Sequence, residues 1–439
     1  MPFQLDPTFA QDPAKHFDTL QIHAGLEPDP TTGAAALPIY ASAAFQFDSA
    51  PDAAAKFALS KPGNVYGRLT NTTTDAVAAR VAAIEGATGA VAVASGHAAE
   101  ILALTNIVGA GDHIVASDSL YGGTWNIFLH TLADLGVETT FVENNDIDGV
   151  VAATQETTKL WYVETIGNPL VDVADVPAIV EAANSLKEPV PVFVDNTFAT
   201  PYLYRPADDG AAVVIESLTK WIGGHGATLG GAVIDTGKFD WKQTPGKFPT
   251  LTEPDPSYHG LVFADAAPAA PFSTRVLANK LRDFGPTLSP YAAQLIGIGI
   301  ETLSLRAQRH SDNALAVAKY LESHPKVSWV RYSGLENDPS HEVASRILHN
   351  GFGGVVVFGV KGGRDAGLKV VDNVKLFTHL ANVGDAKSLI IHPASTTHSQ
   401  LTPEQLKAAH LTEDLIRLSV GIENVDDIIA DLDQALENA

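Results

Sequence analysis

The sequence has no cysteine, which removes disulfides, thiolate zinc sites, iron–sulfur ligation and cysteine nucleophiles from consideration. Methionine is almost as scarce, Met1 being the single example. So little sulfur fits a protein made while sulfur amino acids run short, although an alanine-rich composition reaches the same count by chance. Basic residues are few as well. Against 51 Asp and Glu stand 28 Lys and Arg, a net charge of −23, and so acidic a chain repels polyanions, so neither nucleic acid nor an acidic membrane surface is an expected partner. No run of about 18 apolar residues occurs, and the opening MPFQLDPTFAQDPAKHF lacks the basic-then-apolar order of a signal peptide. The expectation is a cytoplasmic protein with no membrane attachment. No HExxH occurs, and His379, His392 and His398 are irregularly spaced, so these three read as structural and no metal is expected.

What is present points to a folded chain. Its 439 residues are 45% hydrophobic and 18% charged, enough apolar material for two or three domains and far from the composition of a disordered protein. Residues 1–70, rich in Pro, Gly and Thr, read as an extended N-terminal arm that reaches a neighbour. From about 75 a helical DAVAARVAAIEGAT leads into seven short apolar runs at 90–94, 113–116, 139–142, 160–164, 191–195, 212–216 and 229–235. Helical or turn segments separate them, which predicts an α/β domain over 71–273 built on a mostly parallel seven-stranded sheet, because parallel strands need crossovers. Within it, 237–273 reads as a loop-like insertion. A long helical segment over about 274–322 then opens a smaller C-terminal α/β domain, 274–439, with strand-like VSWVRY, GGVVVFGV, SLII and LIRLSV.

Sheets of this kind bind ligands beyond the carboxyl ends of their strands, so polar residues directly after a run are the candidates. Lys220, in AVVIESLTKWIGGH, follows such a run; burial there favours the neutral amine that condenses with an aldehyde, and the flanking Ser217 and Thr219 offer hydroxyls to a phosphate. A solvated loop lysine is the plain alternative. One strand–helix–strand step earlier, Asp195 closes VPVFVD, where a carboxylate suits the ring nitrogen of pyridoxal phosphate (PLP), or simply caps a turn. Ser95-Gly96-His97 leads from a strand straight into a helix, whose N-terminus attracts phosphate; a mere strand-to-helix turn is the alternative, and His97 reads as a local hydrogen-bonding residue. Tyr121 is placed to stack on a cofactor ring. Glu164 and Asn168 end a further strand, the Asn within bonding reach of a ring hydroxyl or else part of an Asn-Pro turn. Arg417, in RLSVGIE, is a candidate clamp for a substrate carboxylate, or an ordinary surface ion pair.

SGHAA, SLYGGT, VDNTFATP, SLTKWIGGH and RLSVGIE, in this order, with the likeness running from about His23 to the end, together resemble the Cys/Met-metabolism family of PLP enzymes, of the aspartate-aminotransferase-like fold type I. The resemblance implies Lys220 as Schiff-base lysine and proton carrier, Asp195 at the ring nitrogen, Tyr121 on the ring and Asn168 beside it. It also implies Ser95, Gly96, His97, Ser217 and Thr219 at the phosphate. Tyr66 and Arg68, in YGR, match the segment that crosses a dimer to the neighbour's site, Tyr66 with a catalytic and substrate-binding part, so the resemblance implies a homo-oligomer, a dimer of dimers. Residues 252–265 and 382–401 are similar to the O-acetylhomoserine sulfhydrylase branch, where Ser388 would join Arg417 and Asn168 at the substrate carboxylate. His97 departs from the Met or Gln of many relatives, which leaves a backbone phosphate contact intact. The implied reaction is γ-replacement: O-acetylhomoserine and sulfide, or a small thiol, to homocysteine and acetate, in methionine biosynthesis. Cystathionine γ-synthase or γ-lyase chemistry, and a non-catalytic PLP-binding regulator, stand as alternatives.

Overall fold

The computed structural model describes residues 15–396, apart from 27 and 30, and residues 411–439; His398 lies outside them. The seven apolar runs form the strands β1 (Gly89–Val93), β2 (His113–Ser117), β3 (Glu138–Val142), β4 (Thr158–Glu164), β5 (Val192–Asp195), β6 (Val213–Glu216) and β7 (Gly231–Asp235). They make one sheet in the order β1-β7-β6-β5-β4-β2-β3. β3, β2, β4, β5 and β6 pair in parallel, while β7 runs antiparallel to both β6 and β1. Six strands therefore point their carboxyl ends at the same edge, and β7 alone starts there.

Strand alternation sends successive side chains to opposite faces. Val115, Trp161, Val163, Val194 and Val214 pack on one face with the helix Thr72–Ile84. Ile114, Leu160, Tyr162, Phe193 and Ile215 pack on the other with the helix Gly96–Ile107. The mostly parallel seven-stranded sheet, covered on both faces, is the architecture expected of fold type I.

The segment 237–273, expected as a loop-like insertion, contributes to the second of these cores. Phe239, Trp241, Phe248 and Phe272 are buried, with neighbouring ring centroids 5.0–5.8 Å apart. Its prolines open helices of one turn, Pro249–Thr252 and Pro271–Arg275, a position where the missing N–H removes no bond. Such short pieces leave no periodicity to read. The arm differs too: it holds helices Phe17–His23 and Ala50–Phe57, and Gln21 is buried, donating to Ser304 Oγ (2.8 Å) and accepting from Ser304 N (3.0 Å). The long helical segment is broken at Gly285, whose φ of +75° ends a helix ahead of Pro286, and again between Pro290–Ile300 and Leu303–Ser323. Pro290–Ile300 packs on Thr72–Ile84, whereas Leu303–Ser323 packs on the second sheet.

That second sheet comprises β8 (Val327–Arg331), β9 (Val355–Val360), β10 (Thr378–His379), β11 (Leu389–Ile391) and β12 (Leu415–Ser419). Its order is β10-β11-β12-β9-β8, antiparallel except where β10 meets β11. The amphipathic Val425–Glu437 covers it with Ile428, Leu432 and Leu436. Among the described residues no helix is long and apolar enough to cross a membrane.

Candidate active site

The shared strand edge collects the candidate side chains. Past β6, Lys220 N donates to Ser217 O (3.1 Å), closing a turn anchored by the buried Leu218. This directs Lys220 inward, where Nζ donates to Asn382 Oδ1 (2.6 Å). Burial, and then the nearby Arg417 guanidinium, lower the Lys220 ammonium to about 8, so roughly a fifth of the amine is neutral near physiological pH, far more than for an ordinary lysine. Asp195, the last residue of β5, accepts from Thr197 N (2.9 Å), and burial holds its carboxyl above the usual range. A buried carboxyl of this kind favours a cationic partner.

Ser95 caps the helix Gly96–Ile107 by accepting from Ala98 N (3.1 Å), which leaves the first turn's N–H groups facing the strand edge. Gly96 is required by close approach: an added Cβ would lie 2.8 Å from Ser217 Cβ. Gly231, the first residue of β7, abuts the same turn, and a Cβ there would collide with the Ser95 carbonyl. Thr219 holds this corner from the other side through Gly230, donating to its O (3.2 Å) and accepting from its N (3.1 Å). Tyr121 N donates to Glu164 Oε1 (2.6 Å), and the Tyr121 ring stacks on His97 with centroids 5.5 Å apart. Burial, and then Asp195, push the Glu164 carboxyl well above the carboxylate range. From the second sheet, the buried Arg417 of β12 donates to Asn168 Oδ1 (3.0 Å).

These residues line one cavity of about 440 Å³. It brings together Lys220, Asp195, Tyr121, Asn168, Arg417, Ser95, Gly96, His97, Ser217 and Thr219, side chains drawn from both sheets. Ser388 is a correction. Its buried hydroxyl donates to Glu423 Oε2 (2.9 Å) and accepts from Gly421 N (2.9 Å), so it is spent on the loop after β12 and does not reach the cavity. Tyr66 and Arg68 also lie outside it; Tyr66 is exposed and the Arg68 guanidinium sits 5.2 Å from its ring. His392 is buried between Ser395 Oγ (2.9 Å) and Glu413 O (2.8 Å), and His379 is exposed on β10.

Four polar cavity residues, Glu100, Thr124, Thr197 and Asn382, were not singled out in the sequence. Asn382 follows only the two-residue β10, which no apolar run marks in the sequence, so the rule that exposed Lys220 and Asp195 passes it by. Glu100 carried a signal in its charge, since AAEILAL places an acid in an otherwise apolar helical stretch. The donor set fits PLP: an amine poised to meet an aldehyde, a buried acid for the ring nitrogen, and a helix N-terminus with a glycine that lets a phosphate approach.

Comparison with known proteins agrees. A family model described as Cys/Met metabolism PLP-dependent enzyme matches residues 18–437. The chain is 49% identical to homocysteine synthase of Schizosaccharomyces pombe, over 97% of this chain and 99% of that one. It is 48% identical to O-acetyl-L-homoserine sulfhydrylase of Leptospira meyeri, over 96% of each. A crystal structure from Campylobacter jejuni, designated an O-acetylhomoserine (thiol)-lyase and holding N'-pyridoxyl-lysine-5'-monophosphate, superposes with a TM-score of 0.92 at 39% identity, covering 96% of this chain and 100% of that one.

Proposed function

The chain belongs to the Cys/Met-metabolism family of PLP-dependent enzymes, and on that premise we propose that it converts O-acetyl-L-homoserine and sulfide to L-homocysteine and acetate, in methionine biosynthesis. The observation that carries the proposal is the partly buried Lys220, its ammonium lowered to about 8, sharing one cavity with Asp195 and Arg417. The names of relatives nearly half identical over almost the whole chain supply the substrate.

When bound, PLP supplies an electron sink that makes the protons at Cα and Cβ of an amino acid removable. Lys220 is the attachment point and, once displaced by the substrate's amine, the base and acid that carries those protons. Asn382, which accepts from Lys220 Nζ (2.6 Å), holds the amine at the mouth of the second sheet. Asp195 keeps positive charge on the ring nitrogen, and Tyr121 covers the ring. The helix N-terminus at Gly96 and His97, with Ser95, Ser217 and Thr219, holds the phosphate. Arg417, oriented by Asn168, clamps the substrate carboxylate. Tyr66 and Arg68, exposed and outside their own chain's cavity, fit a role in a second copy's site, so we read the enzyme as a homo-oligomer, a dimer of dimers. It works on small molecules in the cytoplasm.

The deciding assay offers O-acetyl-L-homoserine with sulfide and, separately, with cysteine, and repeats both with the succinyl ester. Homocysteine from the acetyl ester and sulfide is expected as the dominant product. Preferential formation of cystathionine would overturn the assignment in favour of a γ-synthase.

A further inference from the structure

Two acids of the cavity, Glu100 and Glu164, are left unused by this chemistry, and Glu164 is engaged by Tyr121 N. Glu100 lies one turn into the helix Gly96–Ile107, is 2% exposed and lines the cavity. Its Oε1 has no hydrogen bond of good geometry, Oε2 accepts a long 3.4 Å bond from Thr124, and the other group in reach is the buried Tyr162 hydroxyl, itself poorly bonded. An unsatisfied buried oxygen is costly, so an atom left in this state at a binding site marks the place of a ligand.

The groups facing Glu100 are acids. Asp195 approaches from β5, and Tyr162 and Glu164 from β4. Strand alternation puts Asp195, Tyr162 and Glu164 on the same face as this helix, while Glu216 of β6 faces the opposite way, toward Glu85. At the far end of the helix Arg275 is engaged with Asn106 O (2.7 Å). His97 shares the helix and Lys220 the cavity. Burial first, and then the charge of Asp195, push the Glu100 carboxyl up to about 8. At neutral pH the neighbouring acids Glu100 and Asp195 therefore hold at least one proton between them.

We infer that Glu100 is a positioning residue for the cofactor's ring nitrogen, forming with Asp195 a two-carboxyl floor that delivers the ring's proton. The balance is simple: an O–H bond of the acid pair breaks, an N–H bond forms at the ring nitrogen, and two carboxylates are left around one cation. With one cation between them, the acids of this floor would form a satisfied cluster. The carboxyl of Glu164 is bonded to Tyr121 N, and burial raises it, which disfavours a competing charge.

The inference rests on the PLP reading, and the test separates the two. Holoenzyme is prepared with pyridoxal phosphate labelled with ¹⁵N in the ring, and the ring-nitrogen resonance is followed from about pH 6.5 to 9 in the wild type and in Glu100→Gln. In the wild type the nitrogen should stay protonated through about pH 8, where Glu100 is the proton source; in E100Q it should become neutral at least about one pH unit lower. The dissociation constant for the cofactor, read from quenching of tryptophan fluorescence, should agree within about twofold near pH 6.5 and be about tenfold weaker in E100Q near pH 8. Identical titration of the ring nitrogen in the two proteins sinks the role of Glu100 and leaves the PLP reading standing. Failure of the wild type to take up the cofactor sinks the PLP reading itself. Should E100Q not fold, Glu100→Ala is read by the same resonance, with the same outcomes on either side.

Discussion

Single side chains carry the most direct predictions. Lys220→Ala should remove the cofactor's visible absorbance and lower turnover by about 10³-fold or more, the scale of a lost proton carrier; retention of both would place the cofactor elsewhere. Because burial and Arg417 depress the Lys220 ammonium to about 8, cofactor capture by the apoenzyme should accelerate as pH rises and be half-maximal near 8. A stopped-flow rate that keeps rising toward the ordinary lysine range would contradict the burial argument. Arg417→Ala should raise KM for the amino-acid substrate about 10- to 100-fold, the equivalent of a charge-assisted hydrogen bond pair of about 1.5–3 kcal/mol, with a smaller change in kcat. At this scale the sequence was legible where a polar residue directly follows a strand, as with Lys220, Asp195 and Tyr121. Ser388 was misplaced because a hydroxyl's partners are set by the fold, and Glu423 and Gly421 claim this one. Asn382 left no local mark, since only tertiary folding brings it to Lys220.

Among the elements, β7 makes the sharpest test, because its first residue leaves no room for a side chain. Gly231→Ala would press on the Ser95 backbone, and such overpacking costs about 1–3 kcal/mol; weaker cofactor binding should accompany the lower denaturation midpoint. The opposite face of the sheet holds a second test. Glu85 and Glu216 are buried together, with Asn196 Nδ2 donating to Glu85 Oε1 (3.1 Å) and neither Glu216 oxygen hydrogen-bonded. Burial raises both carboxyls, Glu85 to about 7. A carboxyl raised on folding binds more protons folded than unfolded, so its stabilising effect is present below about 4.5 and is lost as pH climbs to about 7. Glu85→Gln should therefore match the wild type near pH 5 and exceed it by roughly 1–2 kcal/mol near pH 8 in urea denaturation; equal midpoints at both pH values would show that the pair is not strained. All seven strands of the large sheet were readable because short β-branched runs between helices have few other solutions. The aromatic segment 237–273 was not, since its one-turn helices are held by Trp241, Phe248 and Phe272 packing on each other rather than by any repeat.

For the whole molecule the question is how many chains make one site. Arg68 and Tyr66 lie outside their own cavity, so a Lys220→Ala chain and an Arg68→Ala chain, each impaired alone, should regain activity when co-expressed, up to about a quarter of the wild-type rate. No gain above the sum of the separate proteins would show that Arg68 serves no neighbour. Inside one chain the cavity already draws on distant stretches: the corner at Ser95 is closed by Gly231, and the carboxylate clamp waits for Arg417 on the second sheet. Translation delivers these parts in that order. In a chain made only as far as residue 300, Ser95, Asp195 and Lys220 are present while Arg417, on the last strand, is not, so the parts assigned to the vitamin-derived cofactor precede the part assigned to the amino acid.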